Sequence, residues 1–379
     1  MRFAPLAAAS VIVLCAFEQA DAAPPAVDSA AQLNPEDCPP ESVTQGGRPP
    51  EADAAWCATM DKAGRLIPHG LYLGYHRSGR LAERGRFERG AREGSWAAWR
   101  EDGEVRAVST FRAGVLDGPW EGEGEGGLWL SGAFRRGKRD GVWQMRDRGG
   151  REVGRGPYRD DVREGLWRET LEDGTTGEGG YKGDRRSGPW RFTWSSGALR
   201  TSGVFARGDR TGLWEERDAG GVLRARGRWQ GDARVGVWQS WGADGRPEWE
   251  GETRDGLRVG PWTVWTEDGL RQKGTYLKGR RAGAWTLWHP NDAVAGRGPM
   301  VDDRMHGLWE FFDATGRLTG RGGMAGGERD GPWVEADTGP DPAVSWAGSY
   351  AAGRRTGRWV ARKADGTEVG TRDFDGATP

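Results

Sequence analysis

Cysteine and histidine are scarce in this chain, with three and four copies in 379 residues. That leaves little for a metal centre or for a nucleophile with a histidine base. His69, His76, His289 and His306 have no neighbouring cysteine or paired carboxylate at ligand spacing. No G-x-S-x-G, H-E-x-x-H or phosphate loop occurs. Glycine-rich runs such as residues 122–127 lack the strand-to-helix setting of a nucleotide fingerprint. No catalytic residue, metal ligand or cofactor is assigned. Net charge is lacking as well: 55 Lys and Arg face 56 Asp and Glu. The broad basic field of a nucleic-acid binder is therefore missing, and nucleic acid is not expected as a partner. Long glycine-free stretches are also absent. Glycine costs about 1 kcal/mol per helix-interior position, which excludes a helical bundle and fits a doubly wound enzyme badly.

What the chain does have is 65 glycines, about 17% against about 7% in an average protein, together with 22 tryptophans. Disordered chains are poor in aromatics, so simple disorder is excluded. Many short strands joined by tight turns remain.

One long apolar run stands at the start. Arg2, the apolar run from Phe3 to Phe17 and the small-x-small site Ala20-Asp21-Ala22 read as a secretory signal cleaved after residue 22. Leu14 before Cys15 is large for a lipoprotein signal. The expected location is periplasmic or extracellular. Removing residues 1–22 takes away Arg2 against Glu18 and Asp21, leaving a mature chain of zero net charge. Residues 23–37 read as a linker. Cys38 and Cys57 are then the only mature cysteines, and an even pair in an exported chain reads as a disulfide. It would staple a proline-rich cap over residues 38–69.

From Gly70 the chain repeats. Glycine, any residue and then an aromatic recurs thirteen times, beginning at Gly70, Gly94, Gly118, Gly141, Gly165, Gly188, Gly212, Gly236, Gly260, Gly283, Gly307, Gly331 and Gly357. Most steps between anchors are equal in length, as from Gly70 to Gly94. The copies that begin at Gly118, Gly165 and Gly260 are one residue shorter, and the step from Gly331 to Gly357 is slightly longer. Such a nearly fixed period means an array. Nine residues after each anchor comes another glycine, replaced only by Asp292 and Pro340. It is often preceded by Asp, as at Asp102, Asp173, Asp244 and Asp268. Asp-Gly between strand-like runs predicts a two-residue hairpin turn with positive φ at both residues. A second aromatic follows, for example Phe205, Trp229 and Tyr276. In that register the anchor ring faces a glycine and the second ring faces the anchor glycine. The three short copies would need a bulge to restore it. The expected fold is all-β: an elongated, antiparallel, single-sheet solenoid of about thirteen 23–26-residue hairpins over residues 70–379.

Gly260-Pro261-Trp262-Thr263-Val264-Trp265, Gly269, Gly274-Thr275-Tyr276 and Gly279 resemble the bacterial variant of the MORN repeat, G-x-W-x-x-W, a turn glycine, then G-x-Y/F-x-x-G. The resemblance covers about Gly70 to Phe374, with Ser109 and Arg372 in place of glycines. It implies an elongated sheet of hairpins and a binding activity, toward proteins or, in eukaryotic members, acidic phospholipids. Many bacterial variants carry an antitoxin label, which a signal peptide argues against.

Two stripes are candidate binding surfaces. One is aromatic, three residues after the anchor ring: Tyr75, Trp99, Trp241, Trp265, Trp288 and Phe312, the last four in consecutive copies. In the ideal register it lies on the face opposite the anchor rings. The other is basic, two residues before the anchor, and includes Arg210, Arg234 and Arg258. These arginines are expected in the loops between hairpins, either stacked on anchor tryptophans or forming a polyanion track. The reading is a non-enzymatic exported scaffold that binds a protein partner. The alternatives are a binder of an envelope glycan or anionic lipid, and an antitoxin-like inhibitor.

Overall fold

The computed structural model describes residues 31–337 and 344–374. The signal segment and Pro340 lie outside them. The described chain is all-β, with 31 strands and two single-turn 3₁₀ segments, and successive strands pair antiparallel except where two segments continue one interrupted strand. Two strands belong to the cap. The rest are the two strands of each of thirteen hairpins, three of them interrupted beside an anchor glycine at Gly141, Gly165 and Gly307. The chain divides into two compact units, up to Gly141 and from Val142 onward.

In the first unit the cap is part of the sheet. Val43–Gly46 pairs with Ala54–Met60, which pairs with Leu66–Tyr75. Cys38 and Cys57 are bonded as expected, and Cys57 is fully buried. Cys57 and Pro39 close over the first anchor, where a Cβ on Gly70 would stand 2.9 Å from the Cys57 Cβ. The first two copies also carry a core on the face away from the anchor rings. Leu73, Tyr75, Leu81, Ala97 and Trp99 are buried there, with Ala31 and Leu33 packed against them.

The second unit shows the repeat most plainly. Near the anchor the expected register is met: Gly212 faces Trp229 and Trp214 faces Gly227. At the tip it is not. The Gly221 N–H donates to the Asp218 carbonyl and the Asp218 N–H to the Val222 carbonyl, both at 3.0 Å. This is a three-residue loop, a type I turn followed by a left-handed glycine. Only that glycine needs positive φ (87° at Gly221), and the preceding aspartates do not adopt it. Two-residue turns with positive φ at both positions do exist, but they join one hairpin to the next, as at Arg207-Gly208 and Lys278-Gly279.

The bulge is likewise displaced from its expected place. A three-residue loop lowers the sum of facing positions by one, so the longer copies must absorb an extra residue. They do so beside the tip: Glu216 faces Ala225, then Arg217 faces Leu223, and Arg224 is left over. The short copies need none, and the ladder from Gly165 with Tyr181 to Thr170 with Thr176 is unbroken.

A second irregularity marks every anchor. Ser202 faces Glu215 and Val204 faces Thr211, so three residues, Gly212 to Trp214, stand opposite Gly203 alone. Gly212 takes φ +66° to make this bulge, which is why the anchor is glycine.

The bulge carries the anchor ring onto the preceding copy. Trp214 lies over Gly203, where a Cβ would stand 2.2 Å from the indole, and Trp238 covers Gly227 in the same way. The pattern holds through Trp262, Trp285, Trp309, Trp333 and Trp359, all at most 2% exposed. In seven copies, among them Trp190, Trp238 and Trp262, the indole N–H donates to a carbonyl ten residues earlier. The second ring then meets the next tryptophan edge-on, at 5.1 Å for Phe205 and Trp214 and 5.4 Å for Tyr350 and Trp359. Such pairs add about 0.5–1.5 kcal/mol beyond their buried area.

Candidate functional site

The two faces of the second unit have different occupants. On the ring face the arginines two residues before each anchor stand in strands, not in loops, since the connecting turn takes only two residues. Arg210 begins its strand at Asp209, Arg234 at Ala233 and Arg258 at Leu257. Alternation along the strand puts each on the side of its own tryptophan. Arg210 lies 3.5 Å from the Trp229 ring centre, Arg234 4.2 Å from Trp238 and Arg258 4.7 Å from Trp262. Stacking of this kind contributes about 0.5–2 kcal/mol per pair.

Carboxylates answer much of the charge. Arg163 pairs with Asp184, Arg210 with Asp232 at 3.8 Å and Arg281 with Asp303 at 3.4 Å. Arg186 pairs with Glu169, and Arg329 and Arg355 share the buried Glu335 with the Tyr350 hydroxyl. Burial first, then the Glu169 carboxylate, raises the pKa of Tyr181 in the equivalent cluster. Arg258 donates to the Tyr276 hydroxyl at 3.2 Å. The ladder is thus built into the ring stack, and Arg186 and Arg210 also line a cleft of about 880 Å³ beside Phe205 and Trp214.

The hairpin tips are held by short polar bonds. Asp173 accepts the Thr175 backbone N–H at 2.9 Å and an ion pair from Arg200. The backbone bond first, then Arg200, pulls its pKa down to about 2. Asp147 and Asp313 cap their tips alike, each accepting two backbone N–H groups, and their pKa values are also lowered. His289 donates from Nε2 to the Phe312 carbonyl of the next copy at 2.9 Å, and His76 does the same to Trp99 in the first unit at 3.1 Å. Both occupy one position of the repeat, and both bonds join tips.

The opposite face carries three lanes running across the strands. The tip lane holds the predicted aromatic row. Trp265, Arg271 and Trp288 are neighbours across the ladder, with the Arg271 guanidinium 4.8 Å from the Trp288 ring centre. Arg297 lies 5.4 Å from Phe312. Trp241, Trp265, Trp288 and Phe312 are all half-buried. The middle lane is charged: Arg168 pairs with Glu178 at 3.5 Å, and Glu215 with Arg226 at 3.7 Å.

The third lane was not picked out from sequence. It is formed by the middle residue of each anchor motif, Val142, Leu166, Pro189, Leu213 and Val237, and by its cross-strand neighbours such as Val204. Leu166 is 79% exposed and Val237 62%. Val142, Pro157, Leu166, Pro189, Val204 and Leu213 line one cleft of about 800 Å³. The signal was present in sequence: an apolar residue at every anchor+1 position of these copies, on the face opposite a ring that is already satisfied.

No family model matches the chain, and no curated protein matches it. Among solved structures it is similar to the wild-type TCP10 domain of Danio rerio CPAP, at 10% identity over 59% of this chain and 92% of that one, with a TM-score of 0.14.

Proposed function

We propose that this protein is an exported, non-enzymatic scaffold of MORN-like hairpins that binds another protein through the face away from its ring stack. The observation that supports the reading is the contrast between the two faces. Tryptophans and arginines on one face are consumed in holding copies together. On the other, Leu166, Leu213 and Val237 stand exposed at the repeat period. Contiguous exposed apolar surface of this kind marks interaction sites. Its location follows from Arg2, the apolar run after it and the small-residue site at Ala20 to Ala22. The ring face supports the glycan or anionic-lipid alternative less well, because its arginines are stacked and many are paired.

Photo-crosslinking in the native envelope tests the reading. A benzophenone side chain at residue 166 should give one protein adduct that disappears on Leu213→Asp. Absence of any protein adduct from residues 142, 166 and 213 would sink it. The recovered chain should begin at Ala23.

A further inference from the structure

The cleft on the apolar lane has chemistry specific enough to name a ligand class. Its floor is Val142, Leu166, Pro189, Val204 and Leu213, and the charged lane forms its wall. Arg168, Glu178 and Glu215 of that wall answer one another or Arg226. Arg155 and Arg191 are exposed, face the same cleft and have no ion-pair partner among the described residues. The wall therefore offers uncompensated positive charge beside an apolar floor.

Spacing adds a second constraint. The residue after each anchor glycine recurs once per copy, that is every second strand, or about 9.6 Å across the sheet, with Pro157 and Val204 on strands between. A polyproline II helix has three residues per turn and rises about 9.3 Å in that turn. It can therefore set one side chain into the lane at each copy while lying across the face. An extended strand repeats its facing side chains at about 6.6 Å and falls out of step. A polyproline helix leaves its backbone groups to water and does not need a sheet edge to pair them, so a closed face suits it.

We propose that this cleft binds a partner-protein segment in polyproline II conformation, with an apolar side chain at every third residue and carboxylates directed at Arg155 and Arg191. The proposal rests on the scaffold reading and names the partner's chemistry. The probe is a fluorescein-labelled (Pro-Leu-Asp)5 peptide titrated into the full chain and followed by polarisation. Binding should be saturable at one peptide per chain. It should weaken at least about tenfold, about 1.4 kcal/mol, in Leu166→Asp and in the Arg155→Glu/Arg191→Glu pair. Leu308→Asp, at the same repeat position but outside the cleft, should leave it within about twofold. A (Pro-Leu-Lys)5 peptide should bind at least about tenfold more weakly. All three variants alter exposed side chains, and an unchanged melting curve confirms their fold.

Equal binding of the two peptides, or indifference to Leu166→Asp, would overturn the proposal. So would no saturation at millimolar peptide. Co-sedimentation with phosphatidylglycerol vesicles that is lost in the same variants, without peptide binding, would overturn it in favour of a membrane surface. If the peptide fails while the crosslink at residue 166 still captures one protein, the ligand chemistry is wrong and the scaffold reading stands. If both fail, the scaffold reading falls with it.

Discussion

At the residue scale the anchor tryptophan and the glycine it covers act as one object. Trp214 fills the space above Gly203, so either partner can break it. Trp214→Ala should cost about 3–5 kcal/mol, as for a packed core aromatic. Gly203→Ala should cost about 1–3 kcal/mol, because the added carbon meets the indole and not a flexible chain end. Urea melts of the two single variants and the double variant check this. The double variant should be less destabilised than the sum, since removing the ring also removes the clash. A departure within the first unit illustrates the rule: Ser109 takes the glycine's place opposite Trp120, and Trp120 is half-buried where the other anchor tryptophans are nearly sealed. Asp173 gives a residue-scale test in acid. Its pKa is lowered, so its favourable contribution is complete above the ordinary aspartate pKa near 4 and is lost as pH falls through about 2. A carboxylate NMR titration with an Asp173 midpoint above pH 3.5 would contradict the bonding at that tip.

At the scale of the element, the tip bulge accounts for the one-residue difference between the short and the longer copies. In the copy that begins at Gly283, Leu287 faces Gly296 and Trp288 faces Val294, which leaves Ala295 unpaired. Deleting Ala295 should convert this hairpin to the shorter form and change stability by less than about 1 kcal/mol, because no ladder bond is lost. Deleting Gln272, which is paired with Val264 in an unbulged copy, should slip the strand by one and turn Tyr276 to the wrong face. Thermal melts of the two deletions should therefore diverge, the first close to the parent and the second well below it. Much of the hairpin was legible in sequence. The facing of Gly212 with Trp229 and of Trp214 with Gly227 is read from a two-residue turn, and it holds because the tip bulge takes up the residue by which the three-residue loop changes the count. The loop type was not, because Asp-Gly serves both a two-residue turn and the end of a three-residue one, and spacing does not separate them. Nor was the destination of each ring, since the two-residue excess at the anchor glycine is not visible as a spacing. The apolar lane was missed for a related reason: one Leu, Pro or Val between a glycine and a tryptophan looks like filler until the sheet shows that it points outward.

At the scale of the whole molecule, neighbours carry the stability. Reversing Arg210, Arg234 and Arg258 to Glu should destabilise the second unit, because each loses a stacked ring and gains a carboxylate near it. Binding at the Leu166 cleft, measured per folded molecule, should persist. Hydrogen exchange should show the loss spreading over the hairpins from Gly188 to Tyr276 and fading beyond. In the first unit, reducing Cys38–Cys57 releases a loop whose closure is worth roughly 3 kcal/mol on the chain-entropy model. Exchange should then quicken in Val43–Gly46 and Ala54–Met60 before it does in the strands after Gly94.

Because the anchor tryptophan sits on the glycine of the copy before it in all but a few copies, the seam between copies has a direction. A chain lengthened by one full period, inserted at any phase, reproduces every seam it interrupts. A chain lengthened by a fraction of a period leaves one glycine bare and one indole without a floor. A longer copy can lose a single residue, and a short copy gain one, at the tip without disturbing the seam. Growth by whole copies, with a tolerance of one in the count, is thus written into the geometry.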